Sequence, residues 1–325
     1  LGIGASLAWA QTGWPTKPVR IVVPYPPGGA NDILARVVSE KLSTAIGQPV
    51  LVDNRPGAGA VVGTEHVVRA APDGYTFLMA ASGPIVFNPA LMSKLSYNPL
   101  RDLAPVSIVG SFPLVLGVRE DFPARNLKEL IQYTQARPNQ SAYSHPTTSF
   151  QLVMEWLKTR TGLQGIHVPY QGSAPSVNAV LTGEVQMTLI DTGPIAPMLQ
   201  AGKVRALAVT SDQRLANYPN VPTLKEQGVD LAVNLWSGLL APAGTPVPII
   251  ARVQAEVARI MAMPDVIEKF EQYGAEDGGG TPEKFSEFIR SEQQKWARVV
   301  KDAKVQVDAE TPHGLRVSVS FKRPL

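Results

Sequence analysis

The chain has 325 residues, of which 44% are hydrophobic and 18% charged, and this size and composition favour a soluble globular protein with two lobes. Its net charge of +3 is spread through the sequence without a block of Lys or Arg, which argues against nucleic-acid binding. It has no cysteine, which excludes disulfides and thiolate sites, and its four histidines form no HxxxH or HExxH pair, so neither a metal nor a cofactor is expected.

The first element in chain order is an apolar stretch at residues 1–10, which ends in Ala8-Trp9-Ala10. This pattern is typical of the end of a signal peptide with a small-x-small cleavage site before Gln11, although an ordinary flexible terminus is the alternative. No other apolar run reaches the roughly 18 residues that span a bilayer. We therefore expect a signal-peptide remnant at residues 1–10 and a mature protein exported to the periplasm.

The next elements follow the order strand, helix, strand, helix, strand, which predicts a parallel sheet with helices on both faces. They are a strand at 19–23, a helix at 31–46, a strand at 50–52, a helix ending near 71 and a strand at 76–80.

A second α/β unit follows residue 100. It comprises strands at 104–109 and 114–118, a helix at 127–136, a strand near 142–143, a helix at 150–161, a strand at 165–168, a helix at 174–182, a strand at 186–190, a short helix at 195–200 and a strand at 204–210.

The C-terminal part has a helical pattern at residues 247–262, 265–273 and 282–304, without strands of its own. Helices without a sheet must cover apolar surface elsewhere, so we expect the chain to return to the first unit near residues 230–240 through a second crossover. The predicted division is then 14–111 plus 236–305 for lobe 1, 112–235 for lobe 2, and 306–325 for a tail with no clear pattern.

The loop at residues 24–32, Pro-Tyr-Pro-Pro-Gly-Gly-Ala-Asn-Asp, joins the first predicted strand to the first predicted helix. The first turn of a helix has N–H groups without intrahelical acceptors, and the helix dipole adds partial positive charge there. The two glycines remove side-chain bulk, so an anion can approach these groups closely. This loop is therefore either an anion site without Arg or Lys, or a plain strand-to-helix turn.

Three further loops follow predicted strands and lie at the same edge of a parallel sheet, where ligands bind. Residues 143–149 offer the hydroxyls of Ser144, Thr147, Thr148 and Ser149, although a Ser or Thr at a helix start is more often only a cap. The other two loops are 170–174, which contains Ser173 and Ala174, and 81–83, which contains Ala81 and Ser82.

Two patterns suggest chemistry that the rest of the sequence does not support. The segment 57–63 resembles a dinucleotide fingerprint, but it follows the second strand and no acidic residue stands at the next strand end. Ser144-His145 resembles part of a hydrolase triad, but no GxSxG elbow surrounds the serine, so no catalytic residue is expected. Asp191, just after an apolar strand, is either a turn former or a carboxylate of the cleft.

Several ordered segments together make the chain similar to the Bug family, the solute-binding proteins of tripartite tricarboxylate transporters. The matching segments are Pro18-Val-Arg-Ile-Val-Val-Pro-Tyr-Pro-Pro-Gly-Gly29, Asp53-Asn-Arg-Pro-Gly-Ala-Gly59, Ala71-Pro-Asp-Gly-Tyr-Thr76, His167-Val-Pro-Tyr-Gln-Gly-Ser-Ala-Pro175, Gly202-Lys-Val-Arg-Ala-Leu-Ala-Val-Thr210 and Gly238-Leu-Leu-Ala-Pro-Ala-Gly-Thr-Pro246.

The resemblance implies an α/β, two-lobed type II periplasmic-binding-protein fold, in which two mainly parallel sheets are joined by two crossovers. It also implies a non-catalytic, monomeric protein that delivers one small carboxylate to the membrane subunits of the transporter. In this family the first strand-to-helix loop holds a carboxylate through backbone N–H groups. The matching positions are Tyr25, Gly28, Gly29, Ala30, Asn31 and Asp32 in the first lobe, and Ser144, Thr147, Thr148 and Ser149 in the second. His145 is not typical of the family at its position, and we expect it to line the cleft as a loop residue.

Asp32 conflicts with an adjacent anion site unless it caps the helix or pairs with a cation, and we expect it to cap. The ligand class stays open between dicarboxylates, amino acids and aromatic carboxylates, because Asp191 or Asp32 would suit an ammonium group. Two other functions also stay open. They are a sensor that presents its ligand to a receptor, and an α/β enzyme that acts on a carboxylated substrate.

Overall fold

A computed structural model describes residues 13–92, 94–272, 274–275, 278–302, 305–311 and 314–319. The predicted signal-peptide remnant at residues 1–10 lies outside the described residues. Within the described ranges, no helix combines the length and the apolar character that crossing a membrane requires.

The first lobe begins with three strands separated by helices, as the sequence predicts. Its elements are β1 (Val19–Val23), α1 (Ala30–Ile46), β2 (Val50–Asn54), α2 (Val61–Val68) and β3 (Thr76–Ala81), followed by a π-helical turn (Gly83–Phe87), α3 (Asn88–Leu91) and α4 (Pro99–Asp102).

The long strand β4 (Leu103–Arg119) leads into the second lobe. The second lobe contains α5 (Leu127–Gln135), β5 (Ala142–His145), α6 (Thr148–Thr161), β6 (Ile166–Pro169), α7 (Ser173–Leu181), β7 (Met187–Asp191), α8 (Thr192–Gln200) and β8 (Val204–Val209). The chain then returns through β9 (Asn234–Pro242), α9 (Val247–Met261), α10 (Pro264–Gln272) and α11 (Pro282–Asp302), and ends in β10 (Val305–Thr311) and β11 (Gly314–Val319).

One mixed sheet runs through both lobes in the order β2-β1-β3-β9-β4-β7-β5-β6, with β8 paired to β4 as well. Strands β1, β2 and β3 are parallel in the first lobe, and β5, β6 and β7 are parallel in the second. Strand β4 joins the lobes, because residues 103–113 pair with β9 and residues 114–119 pair with β7 and β8. This change of partner supports lobe boundaries at 111/112 and 235/236, which stay predictions.

Three parts of the sequence-based description are corrected by the structure. The strands predicted at 104–109 and 114–118 are one continuous strand, β4, whose pairing passes from one lobe to the other without a turn. Residues 83–91 form helical turns that were not predicted, since Pro84 and Pro89 in the segment suggest a loop. The tail at 306–325, predicted to have no clear pattern, includes most of the antiparallel hairpin of β10 and β11, which begins at Val305.

Two tryptophans, one on α11 and one on β9, pack in the core. Trp296 of α11 is 1% exposed and meets Phe87 and Trp156 with ring centroids 4.5 and 5.4 Å apart. Trp236 of β9 is equally buried and packs edge-on against Phe285 of α11 at 5.3 Å. These aromatic contacts hold α11 against the strands that join the lobes, and burial of such large side chains dominates the stability of a core.

The glycine-rich segment after β2 has a structural role. Gly57, Ala58, Gly59 and Ala60 all have positive φ, so the chain makes a left-handed turn that glycine adopts with little strain. A Cβ on Gly63 would lie 2.7 Å from the carbonyl oxygen of Arg55, which shows how closely α2 approaches this loop. The glycines are explained by the turn and the packing without a nucleotide.

Candidate functional site

Four helices begin directly after the carboxyl ends of parallel strands. Helix α1 follows β1, α6 follows β5, α7 follows β6 and α8 follows β7. In an open α/β sheet this edge is where ligands bind, because loops and helix starts from several strands converge there. The site residues expected from the sequence lie in these four segments or at the end of β3.

The start of α1 has the local geometry of the anion site that the sequence suggests. Gly29 is the N-cap residue, with φ −83° and ψ 168°, and no side chain caps the helix. Ala30 and Asn31 therefore begin a 17-residue helix whose first N–H groups have no intrahelical acceptor. Gly28 is exposed, and Gly29 and Ala30 are half-buried, so the backbone at this helix start is open to a small solute.

Asp32 does not oppose an anion at this position, because its charge is already compensated. Its carboxylate accepts hydrogen bonds from the Gly28 N–H at 3.0 Å, the Arg36 Nε at 3.0 Å and the Asn54 Nδ2 at 2.8 Å. Burial alone would raise the pKa of Asp32, but these hydrogen bonds outweigh it and hold the pKa below its usual value. The expectation that Asp32 caps α1 is wrong, since it pairs with a cation and fastens the preceding loop.

Asn31 connects α1 to the strands that join the lobes. Its Nδ2 donates to Ser237 Oγ on β9 at 2.8 Å, and Ser237 lies opposite Ala81 of β3. The buried Oδ1 of Asn31 and the buried Oγ of Ser82 have no partner in the described part of the chain. Buried polar atoms in proteins are normally hydrogen-bonded, so these two are available to a solute or its water.

The two lobes meet at Gly83, just after β3. A Cβ built on Gly83 would lie 2.8 Å from the Tyr25 hydroxyl and 3.2 Å from Ser149 Oγ. Tyr25 belongs to the loop before α1 in the first lobe, and Ser149 belongs to the first turn of α6 in the second. One residue of the loop at 25–32 and one of the loop at 144–149, which the sequence places on opposite sides of one cleft, therefore meet at this glycine. Burial, followed by the nearby Tyr97, raises the pKa of Tyr25, so its hydroxyl is neutral.

The start of α6 has a second set of N–H groups without intrahelical acceptors. Thr147 is the N-cap in extended conformation, with no side-chain cap, and Thr148 and Ser149 form the first turn of a 14-residue helix. Ser144 contributes less than expected, because its buried hydroxyl donates to the carbonyl of Ser176 at 2.8 Å. The backbone of α6 and the hydroxyl groups at its start are the groups that this lobe can offer to an anion.

His145 shapes the loop before α6. Burial, with a smaller effect of His167, lowers the pKa of His145 to about 4, so the ring is neutral at ordinary pH. Its Nδ1 lies 3.1 Å from the Thr147 carbonyl oxygen, which can only accept, so Nδ1 carries the proton. Its ring also stands 5.6 Å from that of His167 on β6. The histidine thus fixes the geometry of residues 145–147 and adds no positive charge.

The starts of α7 and α8 bring a buried acid to the same edge. Asp191 ends β7, is 4% exposed, and has an Oδ1 that accepts a long 3.4 Å hydrogen bond from Ser173 Oγ. Burial raises the pKa of Asp191 from 3.8 to about 6. Ala174, the next residue of α7, is exposed. Asp191 thus lies at the strand end where the sequence expects either a turn former or a cleft carboxylate, and its side chain does not cap α8.

Sequence reasoning missed several residues that the structure brings to this edge. Ser237 interrupts an apolar run, which is a weak signal, and nothing in its neighbourhood indicates its bond to Asn31. Thr192 at the start of α8 is in contact with Gly274, which follows α10 and has a positive φ of 66°. This contact joins residues 82 positions apart, so no local pattern could reveal it.

Comparison with known proteins places these features in a family. The family model for the tripartite tricarboxylate transporter family receptor matches residues 34–305. The protein BugT of Bordetella pertussis is 36% identical over 305 residues, which cover 93% of each chain.

Solved structures resemble the whole fold. The Rhodopseudomonas palustris protein Rpa4515, determined with adipate, is 33% identical, with a TM-score of 0.85 over 89% of this chain and 97% of that one. MatC from Rhodopseudomonas palustris, determined with bound malate, is 29% identical, with a TM-score of 0.82 over 88% and 100% of the two chains. These two structures share the α/β fold described above. The chain therefore belongs to the tripartite tricarboxylate transporter family of receptors, which includes the Bug proteins.

Proposed function

We propose that this chain is a periplasmic solute-binding protein that captures a small carboxylate between its lobes and delivers it to the membrane subunits of a tripartite tricarboxylate transporter. The observation that carries the proposal is the meeting at Gly83 of Tyr25, in the loop before α1, and Ser149, in the first turn of α6, which belong to opposite lobes. The adipate and malate bound to two relatives support the ligand class. The apolar segment at residues 1–10 supports export.

The binding mechanism follows from the two helix starts. An anion between them accepts hydrogen bonds from N–H groups that have no intrahelical acceptor, and both helix dipoles favour its negative charge. When the lobes close, they exclude water, and each of these interactions strengthens in the lower dielectric. No Arg or Lys is required, so the site can release its solute when the lobes open.

Binding without turnover is the expected behaviour. The Ser144 hydroxyl donates to the Ser176 carbonyl, and the Nδ1 of His145 is bonded to the Thr147 carbonyl, so these two residues do not form a nucleophile and base pair. Ser144 and His145, the one pair that the sequence suggests for a serine hydrolase, are therefore not arranged for that reaction.

Titration calorimetry tests the ligand class. The purified protein is titrated with succinate, malate, adipate, citrate, glutamate and benzoate, and we expect at least one Kd near or below about 1 μM with no chemical change in the recovered ligand. Succinamide is the matched control for succinate, since it keeps the shape but has no charge and no carboxylate acceptors. Binding of none of the acids, equal binding of the diamide, or reproducible turnover would overturn the proposal.

Delivery to a transporter requires a separate measurement. A sensor would bind the same solute in the same pocket, so calorimetry does not distinguish the two functions. The immobilised protein, loaded with its ligand, is incubated with detergent-solubilised membranes from cells that express the transporter subunits. We expect it to retain those subunits, and to retain less of them without ligand. Retention of a receptor or kinase in their place would favour the sensor.

A further inference from the structure

Asp191 is a buried carboxylate without a countercharge. It is 4% exposed, and no ion pair involving it occurs within the described residues. Its Oδ1 receives only the long hydrogen bond from Ser173, and its Oδ2 is buried with no partner there. A buried charge is costly unless it is paired and hydrogen-bonded, so an acid retained in this environment calls for an explanation.

Helix capping does not explain Asp191. The residue stands at the N-cap position of α8, where an Asp side chain commonly accepts a hydrogen bond from the first turn. Here the side chain makes no such bond, and φ −58° with ψ 148° places the backbone outside the helix. The carboxylate is thus left available to a group that is not part of the helix.

The position of Asp191 relates it to the anion site. Strand β4 pairs Gly110 with Ser237, the partner of Asn31 in α1, and pairs Leu114 with Asp191. Four residues of extended chain span about 13 Å, and Ser237 and Asp191 lie on the two strands that flank this stretch of β4 on opposite sides. The next residue, Thr192, is in contact with Gly274 beyond α10, which brings first-lobe backbone close to this acid.

Asp32, the other acid at this edge, cannot take the same role. Its carboxylate already accepts from Gly28, Arg36 and Asn54, which satisfies its charge and most of its hydrogen-bonding capacity. Of the two acids, Asp191 is the one with a free oxygen.

We propose that Asp191 binds an ammonium group of the solute, so that the natural ligand is an amino acid whose carboxylate lies at the start of α1. This inference rests on the proposed function and specifies its ligand class. An ammonium group supplies the missing donor to Oδ2 and the countercharge to the buried carboxylate. The second lobe then distinguishes an amino acid from a plain acid of the same length.

The test compares matched ligand pairs by calorimetry at pH 7.5. Each pair differs only in the amino group: succinate and aspartate, glutarate and glutamate, adipate and 2-aminoadipate. We expect the protein to prefer the amino member of at least one pair by about 10- to 150-fold, the range given by a hydrogen bond to a charged group. In Asp191→Asn, which keeps the shape but loses the charge, this preference should disappear while the affinity for the plain acid changes only a few-fold.

Asp212→Asn is the matched control. Asp212 is an exposed acid of the second lobe paired with Lys225, and its substitution should leave the preference for the amino member of the pair intact. Equal affinities within every pair, or an Asp191→Asn variant that keeps the preference, would overturn this inference while leaving the proposed function standing. Failure of both members of every pair to bind would overturn this inference, and the proposed function would fall as well only if malate, citrate and benzoate also failed to bind.

Discussion

At the residue scale, the two acids near the helix starts have opposite environments. Asp32 accepts three hydrogen bonds, one of them from a cation four residues later, and its pKa lies below the ordinary value. Asp191 has one weak hydrogen bond, and burial raises its pKa to about 6. The sequence indicates the Asp32–Arg36 pair through its i, i+4 spacing. It cannot indicate that Asp191 is left with a free oxygen, because that depends on how α7 and α8 pack.

The raised pKa of Asp191 predicts a pH-dependent stability. The folded protein binds this proton more tightly than the unfolded chain does, so ionisation of Asp191 between pH 3.8 and about 6 lowers the free energy of unfolding. Asp191→Asn removes this cost. We expect the ligand-free variant to exceed the wild type by up to about 3 kcal/mol above pH 6, and by close to nothing near pH 4.

Urea denaturation at a series of pH values measures this difference. The pH dependence is the informative part, since a change in packing alone would shift the stability equally at every pH. A variant that is less stable than the wild type above pH 6, or a gain that does not change with pH, would contradict the assignment of a charged, unpaired Asp191.

At the element scale, function depends on where helices begin. The predicted helix at 31–46 corresponds to α1, and the predicted loop before it is the open helix start, so this half of the site follows from local sequence. The second half, at α6, also follows from a strand with Ser and Thr residues before a helix. Local sequence does not indicate that Ser237 of β9 bonds to Asn31 of α1. The strand at the crossover has the same pattern as any other apolar strand.

Ala30→Pro is the sharpest test of the α1 start. Proline is favoured at the first helical position, and the extended backbone of Gly29, with ψ 168°, is compatible with a following proline. The substitution therefore removes one N–H donor and should preserve the helix. We expect the affinity for the carboxylate to fall by about 10- to 150-fold, as for a lost hydrogen bond to a charged group.

Ala30→Ser keeps the N–H group and serves as the control in the same calorimetric titration. Its affinity should stay within a few-fold of the wild type, and thermal unfolding should confirm that both variants are folded. If the proline variant binds as tightly as the serine variant, the backbone of α1 is not the carboxylate site.

At the scale of the whole molecule, alternation of strands and helices predicted the two α/β units and the helical C-terminal part. It did not predict β4 as one strand shared by both lobes, because residues 110–113 of the sequence, Gly-Ser-Phe-Pro, resemble a turn. The hairpin at 305–319 was missed although its apolar residues alternate, as in Val305 and Val307, so the signal was present.

Ligand exchange requires the lobes to separate, and an engineered disulfide can prevent this. A Cβ on Gly83 would lie 3.2 Å from Ser149 Oγ, close to the separation of about 3 Å between a Cβ and the opposite sulfur in a disulfide. The chain has no other cysteine, so Gly83→Cys with Ser149→Cys gives one defined crosslink. We expect oxidation to slow ligand association by more than about tenfold, because the open form becomes rare.

Reduction of the double variant should restore the association rate, measured by stopped-flow fluorescence. The two single variants control for the loss of the Ser149 hydroxyl and for the bulk added beside Tyr25 at position 83. An oxidised double variant that binds as fast as the reduced one would show that the solute does not enter between these two segments.

The most direct measurement is a crystal structure of the protein with its tightest-binding carboxylate. The account predicts a carboxylate within about 3 Å of the backbone nitrogens at the start of α1, with the rest of the solute extending towards α6 and Asp191. A carboxylate held by an Arg or Lys side chain elsewhere, with the start of α1 facing only water or covered by protein, would contradict it.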